Sequence, residues 1–544
     1  MTEFDVVEIE FGKVRGIKKV SALRTSYTAF LGVPYAKAPV GELRFKNPTP
    51  MEKWENVYDA TKEKIGSYGE NFYTKNIVGS EDCLHMNIFT KHLKPEKLQP
   101  VMVYIHGGSF VTNSNTTDLL SPDYLLMADV VIVTINYRLG ALGFLCLQDE
   151  SLNVPGNAAM KDQVMAMRFV QKNIQSFGGD ANNCCLFGHS AGGASVSWHC
   201  VSEMSKGLFQ KAIIMSGCVL NKFSFTPKGD WAFRLAKKLG YDGDNHDKRI
   251  LEFLRQADPV KIVEVQETLL LPEEKAKISN CFAPHAEPYA NNETFNTELP
   301  IDLVRKAWSN EIDILLGVTS DEGLMVLEYL NKSPMMLKMV KLENMVPSEL
   351  SIPDNDPIRV LLAEKLKQTY YPMGTDPTED CMAYGQMRGE QTLTHGMQRI
   401  IQSRQHSGKR GKTFYYRFAV DSPTQNHYRN AHIGLGVKGV CHADELSYLF
   451  KQIYVDVPGS DSMEFTAITR FVSMFTSFAA TGNPNDNILN ATMNKVQWLP
   501  VDTLDPPFKC LNIEADYVKF EIFPHSERLN VWDWVYGETK TPLY

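Results

Sequence analysis

Cys184-Cys185-Leu186-Phe187-Gly188-His189-Ser190-Ala191-Gly192-Gly193 is the stretch on which the fold turns. Residues 184–187 suit a strand buried on both faces, whose adjacent side chains point to opposite sides of a sheet. From Ala191 onward the chain suits a helix. A strand, a sharp turn and a helix around Gly-x-Ser-x-Gly form an elbow that lifts the serine hydroxyl clear of the sheet. Glycines at 188 and 192 permit the tight turn and the close approach of neighbouring backbone. The pattern alone is weak, since chance supplies it in about one chain in five of this length. Its strand-turn-helix setting raises it above a glycine-rich turn with an incidental serine.

Outward from the elbow, other short apolar runs read as buried parallel strands: Val101–Ile105, Val130–Ile135, Ala212–Met215, Ile312–Leu316 and Thr413–Phe418. Asp162 to Ile174 reads as an amphipathic helix, stopped by Ser176-Phe177-Gly178-Gly179. Strands alternating with helices imply an α/β sheet, and ligands of such sheets bind beyond the carboxyl ends of the strands. No repeat, low-complexity tract or Pro/Gly/Ser linker divides the chain, so residues 1–544 are expected to form a single domain.

The composition is that of a globular protein, with 43% hydrophobic and 22% charged residues. A net charge of −8 leaves no basic footprint for nucleic acid. The acidic start at Met1–Glu8 lacks the positive end and apolar stretch of a secretory signal, and no segment has 18 consecutive apolar residues. A cytoplasmic protein without a transmembrane segment is therefore expected. The ten cysteines show no CxxC pair and no metal-ligand spacing, so buried free thiols, no metal and no cofactor are expected. Sequons at Asn115, Asn292, Asn331 and Asn490 matter only on a secretory path.

A serine hydroxyl needs a base, the base an orienting acid, and the reaction donors for an oxyanion. His106-Gly107-Gly108-Ser109-Phe110 directly follows the run 101–105 and matches a loop that supplies oxyanion amides. The N–H groups of Gly108, Ser109 and Ala191 are the candidate donors. For the acid, Asp321 and Glu322 both follow the run 312–316 and both qualify. For the base, six histidines follow the acid, at 395, 406, 427, 432, 442 and 525. The residues thus carry the order Ser, acid, His, with the acid and the histidine still open.

Longer motifs narrow the choice. Phe177-Gly178-Gly179-Asp180 leading to Gly188–Gly193, Glu81-Asp82-Cys83-Leu84-His85-Met86-Asn87-Ile88, Asn136–Phe144, and Gly156-Asn157 through Asp162-Gln163 together resemble the type-B carboxylesterases of the α/β-hydrolase fold, over nearly the whole chain. The likeness is greatest to intracellular insect α-esterases and mosquito B-esterases. That resemblance implies a mostly parallel twisted sheet flanked by helices, with inserted helical segments around a gorge. It implies Ser190, Glu322 and His442 as a catalytic triad, and ion pairs Arg44–Glu81 and Arg138–Asp162. It further implies that Phe223, Phe110 and Ser216 lie near the substrate pocket. The Met-rich stretch Met335, Met336, Met339 and Met345 would line the entrance or pack as a plain helix.

On this likeness the activity is hydrolysis of small-molecule carboxylic esters through an acyl-enzyme, in ester detoxification with organophosphates as inhibitors, by a monomer or homodimer. A lipid-directed esterase, a juvenile-hormone-type esterase and a non-catalytic organophosphate-binding protein are the alternatives. Three departures from the family matter. No cysteine precedes Cys83, so the disulfide of secreted members has no partner. Residues 62–82 hold no Trp for a quaternary ammonium, which argues against a choline substrate. Ser109 stands where the oxyanion loop often has a third glycine. Apart from these, His189 stands where juvenile hormone esterases usually have Gln, which argues against that alternative.

Overall fold

A computed structural model describes residues 3–544, apart from 72–73, 276, 333–334, 339–340, 372–374 and 490–495. Twelve strands follow one another across the main sheet: β1 (Phe4–Ile9), β2 (Gly12–Val20), β3 (Ser26–Pro34), β4 (His85–Thr90), β5 (Gln99–Ile105), β6 (Val131–Ile135), β7 (Gly179–His189), β8 (Lys211–Met215), β9 (Asp313–Thr319), β10 (Thr413–Ala419), β11 (Lys509–Glu514) and β12 (Val518–Ile522). Their spatial order is β1-β2-β3-β4-β6-β5-β7-β8-β9-β10-β11-β12. β6 to β11 form one parallel block, with β5 between β6 and β7. Antiparallel strands close both edges. This is the mostly parallel sheet of the α/β-hydrolase fold.

The six runs read as strands are β5 to β10. The register sets Leu186 beside Val103 on one neighbour and Ala212 on the other. Alternation then separates two cores. Cys184 and Leu186 join the cluster on one face with α1 (Ala158–Asn173), while Cys185 and Phe187 join the other. A second face-covering helix, Met463–Thr481, packs Ile468, Phe471 and Phe475 into that other cluster.

Helix α1 begins four residues before the sequence pattern suggests. Asn157 at φ 51° and Gly156 at φ 88° make the turn into it. Its first turns then bury Lys161, Asp162 and Gln163, which breaks the apolar periodicity. Those polar groups are buried because each is paired. Lys161 Nζ lies 3.0 Å from Glu287 Oε2. Asp162 receives Arg138 Nε at 2.8 Å and Nη2 at 2.6 Å. Arg138 also donates to Lys46 O at 2.7 Å. Arg44 grips Glu81 with Nε at 2.6 Å and Nη2 at 2.5 Å, and its Nη1 caps the carbonyl end of helix Asp247–Gln256 through Leu254 O at 3.2 Å. Both ion pairs implied by the resemblance are present, and they tie surface loops to the sheet.

All ten cysteines are free. Asn115 is 2% exposed and donates to Thr134 O at 2.9 Å, so its sequon is inaccessible in the folded chain. Met345 packs in the core and Met335 is exposed; Met339, the side chain of Met336 and Asn490 lie outside the described residues. No helix among the described residues is long and apolar enough to cross a membrane.

Asp162→Asn leaves the Arg138 guanidinium buried without a countercharge, so the variant should lose about 3–5 kcal/mol of unfolding free energy. Urea denaturation against the parent checks this; a loss under about 1 kcal/mol would remove the pair from the structural account.

Candidate active site

Ser190 sits between the end of β7 and helix α2 (Ala191–Val201). Its backbone is held at φ 58°, ψ −121°, a region that costs a non-glycine residue about 1–3 kcal/mol. Two hydrogen bonds impose it: Ser190 N donates to Met215 O at 2.9 Å, and Ala194 N donates to Ser190 O at 2.8 Å. The flanking glycines are sterically required. A Cβ at Gly192 would lie 2.0 Å from Ile105 O, and one at Gly188 would lie 2.5 Å from Gly192 O. The elbow is thus clamped against the ends of β5 and β8.

The loop after β5 takes left-handed backbone at Gly108 (φ 111°), Ser109 (φ 52°) and Phe110 (φ 64°). It closes by Val111 N and Thr112 N donating to Gly108 O at 2.9 and 3.0 Å. A Cβ on Gly107 would meet His189 O at 2.6 Å, so this loop presses directly on the elbow. Among the described residues, the N–H groups of Gly108, Ser109 and Ala191 have no protein acceptor. Three unspent donors beside one serine are what an oxyanion needs. His106 is packed on Tyr137, ring centroids 4.5 Å apart, and burial pushes its imidazole down to about 4. It is a neutral wall of the site.

Glu322 follows β9, and His442 lies on a loop over the same end of the sheet. His442 Nδ1 and Glu322 Oε2 are 2.7 Å apart, and both side chains are buried. Glu322 Oε1 accepts Thr319 N at 2.8 Å, so the carboxylate is held at both oxygens. Asp321 faces elsewhere: it accepts Val440 N at 3.1 Å and Ser320 Oγ at 2.5 Å, anchoring the loop that carries His442. Of the two acids and six histidines left open by the residues alone, the structure pairs Glu322 with His442.

A second carboxylate enters that the motifs did not reveal. Glu445, three residues past His442, is wholly buried, and its Oε1 accepts Ser216 Oγ at 3.2 Å. His189 Nε2 lies 3.6 Å from the same oxygen, and the His189 ring is 4.5 Å from that of His442. Burial, with the charge of Glu322, pushes Glu445 well above the ordinary carboxylate range. Burial, with the neighbouring His442, pushes His189 well below the ordinary imidazole range. The spacing His442-x-x-Glu445 was the one signal for it. A charged residue on a loop gives no hint of burial until the fold is known.

Ser190, His442, His189, Gly107, Gly108 and Ser109 all border one cavity of about 160 Å³. Tyr104, Leu119, Leu120, Met325, Tyr329, Tyr428 and Leu446 make half of its remaining wall, and the other half is mainly polar, with His106, Asn113, His427 and Gln452. The three expected pocket residues do not border it. Phe110 is fully buried in the core, its ring edge-on to Phe144 at 5.5 Å, because its left-handed backbone follows the tightest part of the loop. Ser216 lies behind the loop that carries His442, on Glu445. Phe223 is partly buried against the core, and its carbonyl shares the Asn280 amide with Ser109, at 3.1 and 3.3 Å. Asn280 therefore couples the Ser109 loop to the Phe223 segment.

Comparison with known proteins places this chain beside esterases. A model described as "Carboxylesterase family" matches residues 3–532. The chain is 41% identical over 532 residues to Esterase B1 of Culex pipiens, covering 97% of this chain and 98% of that protein. It is 31% identical to a carboxylic ester hydrolase of Bombus ignitus, covering 98% and 95%. Juvenile hormone esterase from Manduca sexta, crystallised with OTFP covalently attached, superposes with a TM-score of 0.85 at 27% identity, covering 98% of this chain and all of that one.

Gly192→Ala puts a methyl group into backbone carbonyl Ile105 O, where no side chain can yield. The variant should lose at least about 1–3 kcal/mol of stability, the usual penalty of overpacking. Thermal unfolding tests it; a parent-like Tm would mean that the elbow is not clamped as described.

Proposed function

The chain belongs to the carboxylesterase family, and we propose that it hydrolyses its esters through an acyl-enzyme on Ser190, with His442 as base and Glu322 as its orienting acid. That it is a carboxylic ester hydrolase acting on small-molecule esters follows from the family. The assignment of roles rests chiefly on the 2.7 Å contact between His442 and Glu322, facing a cavity that Ser190 also borders. His442 takes the Ser190 proton as Oγ attacks the ester carbonyl. The oxyanion is received by the amides of Gly108, Ser109 and Ala191, and Glu322 stabilises the imidazolium. His442 then protonates the leaving alcohol. Water attacks the acyl-enzyme by the same route, and Ser190 is restored.

The same attack on a phosphorus centre would leave a phosphorylated Ser190, and the natural role we propose is detoxification of foreign esters with capture of organophosphates. The likeness to Esterase B1 and the covalent attachment in the Manduca sexta enzyme support a covalent mechanism in this fold. Ten free thiols, most of them buried, support a reducing compartment, and hence a cytoplasmic protein. A monomer or homodimer is proposed as its state. The second reading is a juvenile-hormone-type esterase, favoured by 29% identity to the Tribolium castaneum juvenile hormone esterase over 88% of this chain. Comparing kcat/KM on juvenile hormone with that on short aryl esters separates the two.

Ser190→Ala should lower kcat on a short aryl ester by on the order of 10³-fold or more. Glu322→Gln should cripple turnover while Asp321→Asn keeps it within a few fold, read by steady-state kinetics. The reverse result would move the acid by one residue. An organophosphate should inhibit the parent progressively and with a stoichiometry of one; inhibition that reverses at once on dilution would contradict covalent capture.

A further inference from the structure

Each carbonyl from His106 to Phe110 accepts a hydrogen bond, and the donors show what holds this loop open beside Ser190. His106 O accepts the Tyr137 hydroxyl at 2.9 Å, and Phe110 O accepts Gly140 N at 2.7 Å. Gly107 O accepts Asn113 Nδ2 at 3.5 Å, and Gly108 O accepts Val111 N and Thr112 N at 2.9 and 3.0 Å. A trans peptide sets its N–H opposite its C=O. Donors on Gly107 O and Gly108 O therefore turn the amides of Gly108 and Ser109 to the opposite side. The next peptide plane is held differently. Ser109 and Phe110 both have left-handed backbone, at φ 52° and 64°, a form that strains residues other than glycine. The carbonyl between them is held by a side chain 171 residues away, Asn280, whose Nδ2 donates at 3.3 Å. The second hydrogen of that amide goes to Phe223 O at 3.1 Å. Both neighbours are carbonyls, so only the NH2 side of the amide can face them. Asn280 is itself fixed from behind. Its backbone carbonyl accepts Thr226 Oγ1 at 2.9 Å, and Ala283 N donates to the same hydroxyl at 3.0 Å. At 9% exposed, Asn280 is largely shielded from water that could replace its donor.

We propose that Asn280 is a positioning residue for the oxyanion site: by holding Ser109 O it keeps the loop in the left-handed form that presents the Gly108 and Ser109 amides to the reacting carbonyl oxygen. The inference rests on the reading of Ser190 as the nucleophile. Asn280 does not border the reaction cavity, so it acts through the loop and not on the substrate. Without its amide, the peptide plane after Ser109 can rotate and relieve the strain, and the two donor amides move with it. Those donors count most when the carbonyl oxygen carries charge, so their displacement weakens the transition state more than substrate binding. Asn280→Asp is the sharpest substitution. It keeps the size and sets a carboxylate oxygen against two carbonyl oxygens.

Rates are compared per Ser190 titrated with a fluorophosphonate, so that misfolded protein does not count. Asn280→Asp should lower kcat on a short aryl ester by on the order of 10²-fold, the cost of displacing reacting groups by about 1 Å, and leave KM within about two-fold. A trifluoromethyl alkyl ketone supplies a second readout. Ser190 Oγ adds to its carbonyl carbon, the serine proton passes to His442, and the ketone oxygen becomes the anion that the amides receive. Its affinity should fall in Asn280→Asp by the same factor as kcat/KM, a match that a purely structural loss would not produce. Parental kcat and ketone affinity in Asn280→Asp would overturn the proposal, as would a raised KM at unchanged kcat. Should Asn280→Asp fail to fold, a crystal structure of the unaltered protein with the ketone attached decides. The anion is expected on the amides of Gly108 and Ser109, with Asn280 Nδ2 still on Ser109 O. An anion so bound with that contact broken would overturn the proposal. An unaltered protein that the ketone does not modify at Ser190 would instead remove the Ser190 reading, and this inference with it.

Discussion

The close fit of helix α2 onto the ends of β5 and β8 is the constraint from which the site follows. Ser190 N must reach Met215 O, and the Gly192 backbone must pass within touching distance of Ile105 O. Only a glycine fits at 192, and only a left-handed serine backbone completes the turn. The packing energy of two cores holds that strained conformation in place. The amide of Ala191 points out of the helix start, beside the loop whose Gly107 presses on the elbow. The strained Ser190 backbone and the unspent amides beside it are thus products of one packing contact, rather than separate features brought together.

Electrostatics then divides the labour between two buried carboxylates. Glu322 accepts a backbone amide and the His442 ring, so its negative charge is stabilised by donors on both oxygens. Glu445 receives one serine hydroxyl, with an imidazole only approaching it, and its burial favours the neutral form. Two full negative charges side by side in a dry site would repel each other. His442 thus faces one carboxylate held by donors on both oxygens, with Glu445 set behind it on Ser216.

Much of this was legible before the fold was known. The six apolar runs became β5 to β10, because parallel strands buried on both faces leave continuous apolar signatures. The edge strands β1 to β4 and the pair β11 and β12 were not read. β1, β2 and β12 alternate apolar with charged residues, as in Gly12-Lys13-Val14-Arg15-Gly16-Ile17, pair antiparallel and are partly exposed, whereas β3 and β4 are buried but mix polar residues into their apolar runs. Ser190 and the loop 106–110 were visible from motif and setting. Glu322 and His442 could not be chosen over their neighbours by chemistry alone, since the choice depends on which side chain faces which across 120 residues of chain. Phe110 was misplaced because a residue beside an oxyanion loop need not face the cavity when its backbone is left-handed. Glu445 was missed because nothing local marks a loop carboxylate as buried.

The central claim is that Ser190 alone, among the serines of this chain, is raised to a nucleophile by its fold. Labelling the native protein with a fluorophosphonate, followed by peptide mapping of the adduct, tests it most directly. The account requires one adduct per chain, on Ser190, absent when the protein is unfolded before labelling. An adduct on another residue, or none on the native protein, would contradict it.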